Sequence, residues 1–135
     1  MDVLKLSDVP SLLEIIEKLF KQKKKKGDYS RDLDDDTIHY SNRKTGEFII
    51  YTVKTEPQGI YVIEMVEAKN GTTSCAFSVY RADLEKKAGE IVWVSMPFQD
   101  GLGSNATAKA SQFAHKLKYC GNLEEEISCL ARRME

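Results

Sequence analysis

The stretch from Glu47 to Met96 constrains the fold more than any other part of the chain, because its extended runs are apolar on both sides. A strand with one face in water alternates apolar with polar residues. Here Phe48 and Ile50 point one way while Ile49, Tyr51 and Val53 point the other. The next run places Ile60, Val62 and Val66 opposite Tyr61, Ile63 and Met65, and a later one sets Ile91 and Trp93 against Val92, Val94 and Met96. Between these runs lie short turn signals. Glu56-Pro57-Gln58-Gly59 puts Pro and Gly where a tight turn needs them. Asn70-Gly71 is the strongest hairpin signal, since both residues accept the positive φ of a type I′ turn. Connections this short force neighbouring strands antiparallel. The predicted sheet is a meander of about five strands: 37–40, 47–55, 60–67, 72–80 and 90–96.

The flanks read as helical. Val9, Leu12, Leu13, Ile16, Leu19 and Phe20 form one stripe at helical spacing, with a start near Ser7 or Asp8 and Pro10 in the first turn. The helix runs into Lys21-Gln22-Lys23-Lys24-Lys25-Lys26 and stops at Gly27, which sets cations at the negative end of its dipole. The segment 28–36 is acidic and almost without core-forming residues, so it is expected to be a solvated loop with little to hold it in place. Residues 81–89 could hold one helical turn capped by Asp83. A second long helix is predicted from Asn105 to Cys120, with the stripe Ala106, Ala110, Phe113, Ala114, Leu117 and Cys120. After Gly121, Asn122 can cap a terminal helix carrying Leu123, Ile127 and Leu130, with Glu125 placed as in a capping box. The fold class is therefore α+β: a meander sheet, an N-terminal helix and two C-terminal helices in a single domain, 1–135. Two arrangements of cover stay open. Either all the helices gather on one face and leave the other to a partner, or the N-terminal helix covers one face and the C-terminal pair the other.

Composition bounds the class. At 135 residues, with 41% hydrophobic and 30% charged, the chain can build a core without a covalent staple. No apolar run is long enough to span a bilayer and no secretion signal is evident, so the cytoplasm is expected and no membrane partner. Cys75, Cys120 and Cys129 are odd in number and widely spaced, which favours free thiols over a disulfide framework. The net charge of −1 gives no global field to draw in nucleic acid.

Candidate chemistry is sparse. Gly101, Gly103, Ser104 and Asn105 lie between a strand and a helix, where glycines let a ligand approach the backbone and helix N–H groups can hold a phosphate. A dinucleotide site is not indicated, because the preceding strands are antiparallel and no strand follows to complete a βαβ unit. Gly101-Leu102-Gly103-Ser104, followed by Ala108-Lys109 and Leu117, resembles the start of the last helix of double-stranded RNA-binding domains over about twenty residues. Asn105 and Ala106 stand where that family carries its phosphate-gripping lysines. Gln99-Asp100-Gly101-Leu102-Gly103 is similar to the pyrophosphate loop of acetyl-CoA-dependent N-acetyltransferases, one residue short. Lys21, Lys23, Lys24, Lys25 and Lys26 could meet phosphates or an acidic protein surface, with Lys109, Lys116 and Lys118 of the later helix as a second basic group. Asp32, Asp34 and Asp36 match the first positions of a calcium loop, but Thr37 replaces its glycine and Arg43 its glutamate. His115 and Cys120 do not share a helix face, and no triad or carboxylate pair can be read from the spacings.

No catalytic residues, metal site or cofactor are expected. The favoured function is a non-enzymatic protein-interaction module, of adaptor or inhibitor type, presenting an apolar sheet face and a charged N-terminal segment to a protein partner or to a second copy as a homodimer. The alternatives are a nucleic-acid-binding module using Lys21–Lys26, and a small nucleotide- or acyl-CoA-binding protein using Gly101–Asn105.

Overall fold

In the computed structural model, which describes residues 5–23, 28–70, 72–95, 98–99 and 106–134, short turns lay out the sheet as the sequence predicts. Helix α1 (Pro10–Lys23) follows a short 3-10 turn (Leu6–Asp8). Strands β1 (Tyr29–Leu33), β2 (Thr37–Asn42), β3 (Phe48–Glu56), β4 (Gly59–Asn70), β5 (Thr72–Asp83) and β6 (Ala88–Val94) then run as an antiparallel meander. A two-residue strand β7 (Phe98–Gln99) pairs with β5 at Ser74 and Cys75, and helices α2 (Ala106–Tyr119) and α3 (Leu123–Met134) complete the chain.

The meander thus has six strands where five were expected. The additional strand lies in the acidic segment 28–36. Tyr29–Leu33 pairs along its length with β2, Tyr29 opposite Asn42 and Leu33 opposite Ile38. Such an edge strand needs no core-forming face, because its ladder satisfies the backbone and its side chains stay in water, which is why composition alone concealed it. Only Tyr29 contributes to the core, edge-on to Phe20 at 5.2 Å.

Other boundaries moved for local reasons. The β4–β5 ladder continues to Asn70 opposite Thr72 and so reaches up to Gly71, which lies outside the described residues. Residues 84–87 form a tight hairpin connection in place of a helical turn, with Asp83 Oδ1 accepting from the N–H groups of Glu85 and Lys86. Asn122 does cap α3, its Oδ1 accepting from the Glu125 N–H at 3.1 Å.

Helices cover both faces of the sheet. The stripe Leu12, Ile15, Ile16 and Leu19 of α1 packs with Leu6 on Ile38, Tyr40, Ile49, Tyr51, Val53 and Val62. On the opposite face, Ala110, Phe113 and Leu117 of α2 and Leu123 and Ile127 of α3 pack on Tyr61, Ile63, Cys75, Phe77 and Val79. Register explains the division: Ile49, Tyr51 and Val53 sit opposite Val66, Glu64 and Val62, so alternate residues feed alternate cores. Of the two arrangements left open by the sequence, the one with α1 and the C-terminal pair on opposite faces is observed.

Candidate interaction surface

The described basic residues do not form one footprint. Lys21 is exposed on the last turn of α1, but Lys23 reaches back over the sheet to Glu64, Nζ to Oε1 at 3.0 Å. Glu64 is 1% exposed and its other oxygen accepts the Tyr51 hydroxyl at 2.7 Å. Lys23 therefore neutralises a buried carboxylate, which is a structural role. Burial pushes the Tyr51 hydroxyl far above its usual pKa, and the adjacent Glu64 charge adds to the effect. Lys24, Lys25 and Lys26 lie outside the described residues. The second basic group is across the sheet on α2: Lys109 and Lys116 are exposed, while Lys118 pairs with Asp36 at 3.0 Å, a contact that raises its pKa. Among the described residues, Lys21 and Lys23 on α1 thus lie across the sheet from Lys109, Lys116 and Lys118 on α2.

Gly101, Gly103, Ser104 and Asn105 all fall outside the described residues. Asp32 lies in β1, and among the described residues no cluster of three or more His, Cys, Asp or Glu could hold a metal ion. Cys75 is buried, Cys129 is exposed and Cys120 is half-buried, and none of the three is in a disulfide. Around Cys120 the polar groups serve the fold. Both oxygens of Glu56 accept the Leu123 N–H, at 3.1 and 3.0 Å, so a buried carboxylate from β3 sits on the positive end of α3. Lys54 bridges that carboxylate to the Cys120 carbonyl. Burial opposes its charge, but the bonds to Glu56 and Cys120 outweigh this and its pKa is raised.

One apolar hollow of about 210 Å³ lies between α2 and the sheet, lined by Ile50, Thr52, Ile63, Met65, Phe77, Ala114, His115 and Lys118. It is smaller than the roughly 300–1,000 Å³ of usual small-molecule sites. Among the described residues no helix is long and apolar enough to cross a membrane.

The two edges of the sheet differ in chemistry. The β1 edge carries Ser30, Arg31 and Asp32, and Arg31 is held by Glu17 at 2.8 Å. Charged side chains of this kind discourage further strand pairing. The β6 edge, Ala-Gly-Glu-Ile-Val-Trp-Val, has one charge, Glu90. On it Ile91 is 52% exposed and Val94 61% exposed. In comparisons by sequence and by structure, no family model, no curated protein and no solved structure matches the chain.

A β-bulge creates the apolar strip. Sequence alternation set Ile91 with Trp93 and Val94 with Val92, and the structure overturns this. The β5–β6 register shifts between Val79 and Tyr80, so Trp93 faces Val79 while Ile91 faces Tyr80, with Val92 as the extra residue. Tyr80 and Ser78 belong to the α1 face, so Ile91 and Val94 both emerge there. Val92 and Trp93 turn to the other core, where Trp93 lies against Phe113 at 5.7 Å. Helix α1 covers only the start of β6: a Cβ on Gly89 would meet Leu19 at 3.4 Å and Ile15 at 3.5 Å. Beyond Gly89 the strip is open. Val92 and Trp93 are half-buried, which leaves Ile91 and Val94 as the exposed aliphatic pair. Adjacent apolar residues in a terminal strand hinted at such a surface, but its side could not be read without the bulge.

Proposed function

We propose that this protein is a non-enzymatic interaction module that receives an extended segment of a protein partner along its β6 edge. The observation that carries this is the pair Ile91 and Val94, exposed on one side of an edge strand whose only charge is Glu90. Strand addition supplies backbone hydrogen bonds to the edge and seats alternate side chains on the apolar strip. On the β1 edge the charged Arg31 and Asp32 oppose such pairing. Exposed aliphatic surface on an edge strand is the kind of patch that binding partners cover.

Selection of peptides from a displayed random library against the intact protein tests this. Extended peptides rich in β-branched and aromatic residues should be recovered, with binding lost in Ile91→Lys and Val94→Lys and retained in Leu33→Lys on the β1 edge. Recovery of peptides indifferent to both β6 substitutions, or of none from a chain that sediments as a monomer, would overturn it.

A further inference from the structure

The β6 edge is complementary to itself. We infer that the strand it receives is β6 of a second copy, paired antiparallel about a two-fold axis with Ile91 opposite Val94 of the partner subunit. This rests on the edge-strand function proposed above and names its partner. The first support is the backbone direction. Ser95 N–H bonds to the Phe77 carbonyl at 2.9 Å, so residue 95 turns its polar groups toward β5. In an antiparallel ladder the next pair, Val94 with Ser78, then turns its groups outward. Trp93 with Val79 faces inward again, and Ile91 with Tyr80, on the far side of the bulge, faces out. Ile91 and Val94 therefore share an outward backbone as well as an exposed side chain on the α1 face.

Residues three apart in an unbroken strand lie on opposite faces, so a regular β6 could not do this. With the bulge, an axis midway between Val92 and Trp93 places Ile91 opposite Val94 of the partner subunit twice over. Opposed residues in a ladder must share a face, and these do. Val92 meets Trp93 of the partner subunit, and both residue types belong to the α2 face. Charge agrees: Glu90 falls opposite Ser95 of the partner subunit, so the only charged residue of β6 does not meet its own copy. Such an isologous contact consumes both apolar edges and closes at two copies, leaving the charged β1 edges outward.

Sedimentation over a concentration series measures the mass of the intact chain. A dimer of the 15.3 kDa chain is expected, with Ile91→Lys and Val94→Lys each raising its dissociation constant at least about tenfold while retaining the wild-type circular dichroism spectrum. Register is tested by oxidative cross-linking in a background with Cys120→Ser and Cys129→Ser. Ile91→Cys mixed with Val94→Cys should give a mixed disulfide dimer, whereas Ile91→Cys alone should not, since paired positions alone bring Cα atoms within about 4.4–6.8 Å. A monomer at every concentration, or a dimer indifferent to both lysine substitutions, overturns the second copy as occupant. Peptide selection still decides the edge itself, because a monomer whose selected peptides are lost on Val94→Lys retains the edge function with a different partner. A dimer cross-linked equally well by Ile91→Cys alone overturns the register.

Discussion

Removing the polar pair beneath α1 one member at a time, and then together, should give stabilities that do not add. Tyr51 is fully buried, Glu64 is 1% exposed, and their 2.7 Å hydrogen bond shares the carboxylate with Lys23. In Glu64→Leu the Tyr51 hydroxyl keeps its burial and loses its acceptor, a loss of about 1–3 kcal/mol. In Tyr51→Phe the buried carboxylate retains Lys23 alone, and a hydrogen bond to a charged group is worth about 1.5–3 kcal/mol. Lys23→Ala removes the counter-charge. Breaking a fully buried pair costs about 3–5 kcal/mol, but Lys23 is 41% exposed and partly hydrated already, so about 1–2 kcal/mol is expected. The double variant Tyr51→Phe with Glu64→Leu leaves neither buried group unpaired. It should lie at least about 1 kcal/mol above the sum of the single losses, since replacing a buried polar pair by apolar groups is often neutral. Urea unfolding resolves this, because 1 kcal/mol moves the midpoint by roughly 0.3–1 M at slopes of 1–3 kcal/mol per molar. Additive losses, with the double variant least stable of all, would refute the coupling and mean that water reaches Glu64 in the fold.

Two further outcomes follow from the same interior. Tyr51 holds its proton more tightly folded than unfolded, so its contribution is complete below the unfolded value of about 10 and is lost as pH rises above it. Equilibrium unfolding at alkaline pH should show stability falling from about pH 10 upward, with buried tyrosinate absorbance appearing only with loss of tertiary circular dichroism; titration of all tyrosines in the intact fold would contradict this. Glu56→Ala removes the acceptor of the Leu123 N–H and strands Lys54, and should cost about 1–2 kcal/mol, with amide exchange accelerating in α3 before the sheet. Uniform acceleration across the protein would show that α3 is not anchored through this carboxylate.

Local chemistry was enough to establish much of this fold. The turn at Pro57–Gly59, the stripes of α1 and α2 and the Asn122 cap act over a few residues, and each appears in the structure at or within a few residues of its predicted place. The doubly apolar strands required cover on both faces, and that cover is present. Strand β1 was hidden because its side chains contribute little to a core and its pairing to β2 depends on a backbone ladder that composition does not encode. Lys23 looked like one cation in a run, and only the path of α1 over β4 revealed a buried carboxylate in need of it. The sides of Ile91 and Val94 depended on a single extra residue in β6, and one residue reverses every following side chain in a strand. Alternation in the sequence thus determined that the sheet would be two-sided, while long-range register decided where its apolar surface reaches solvent.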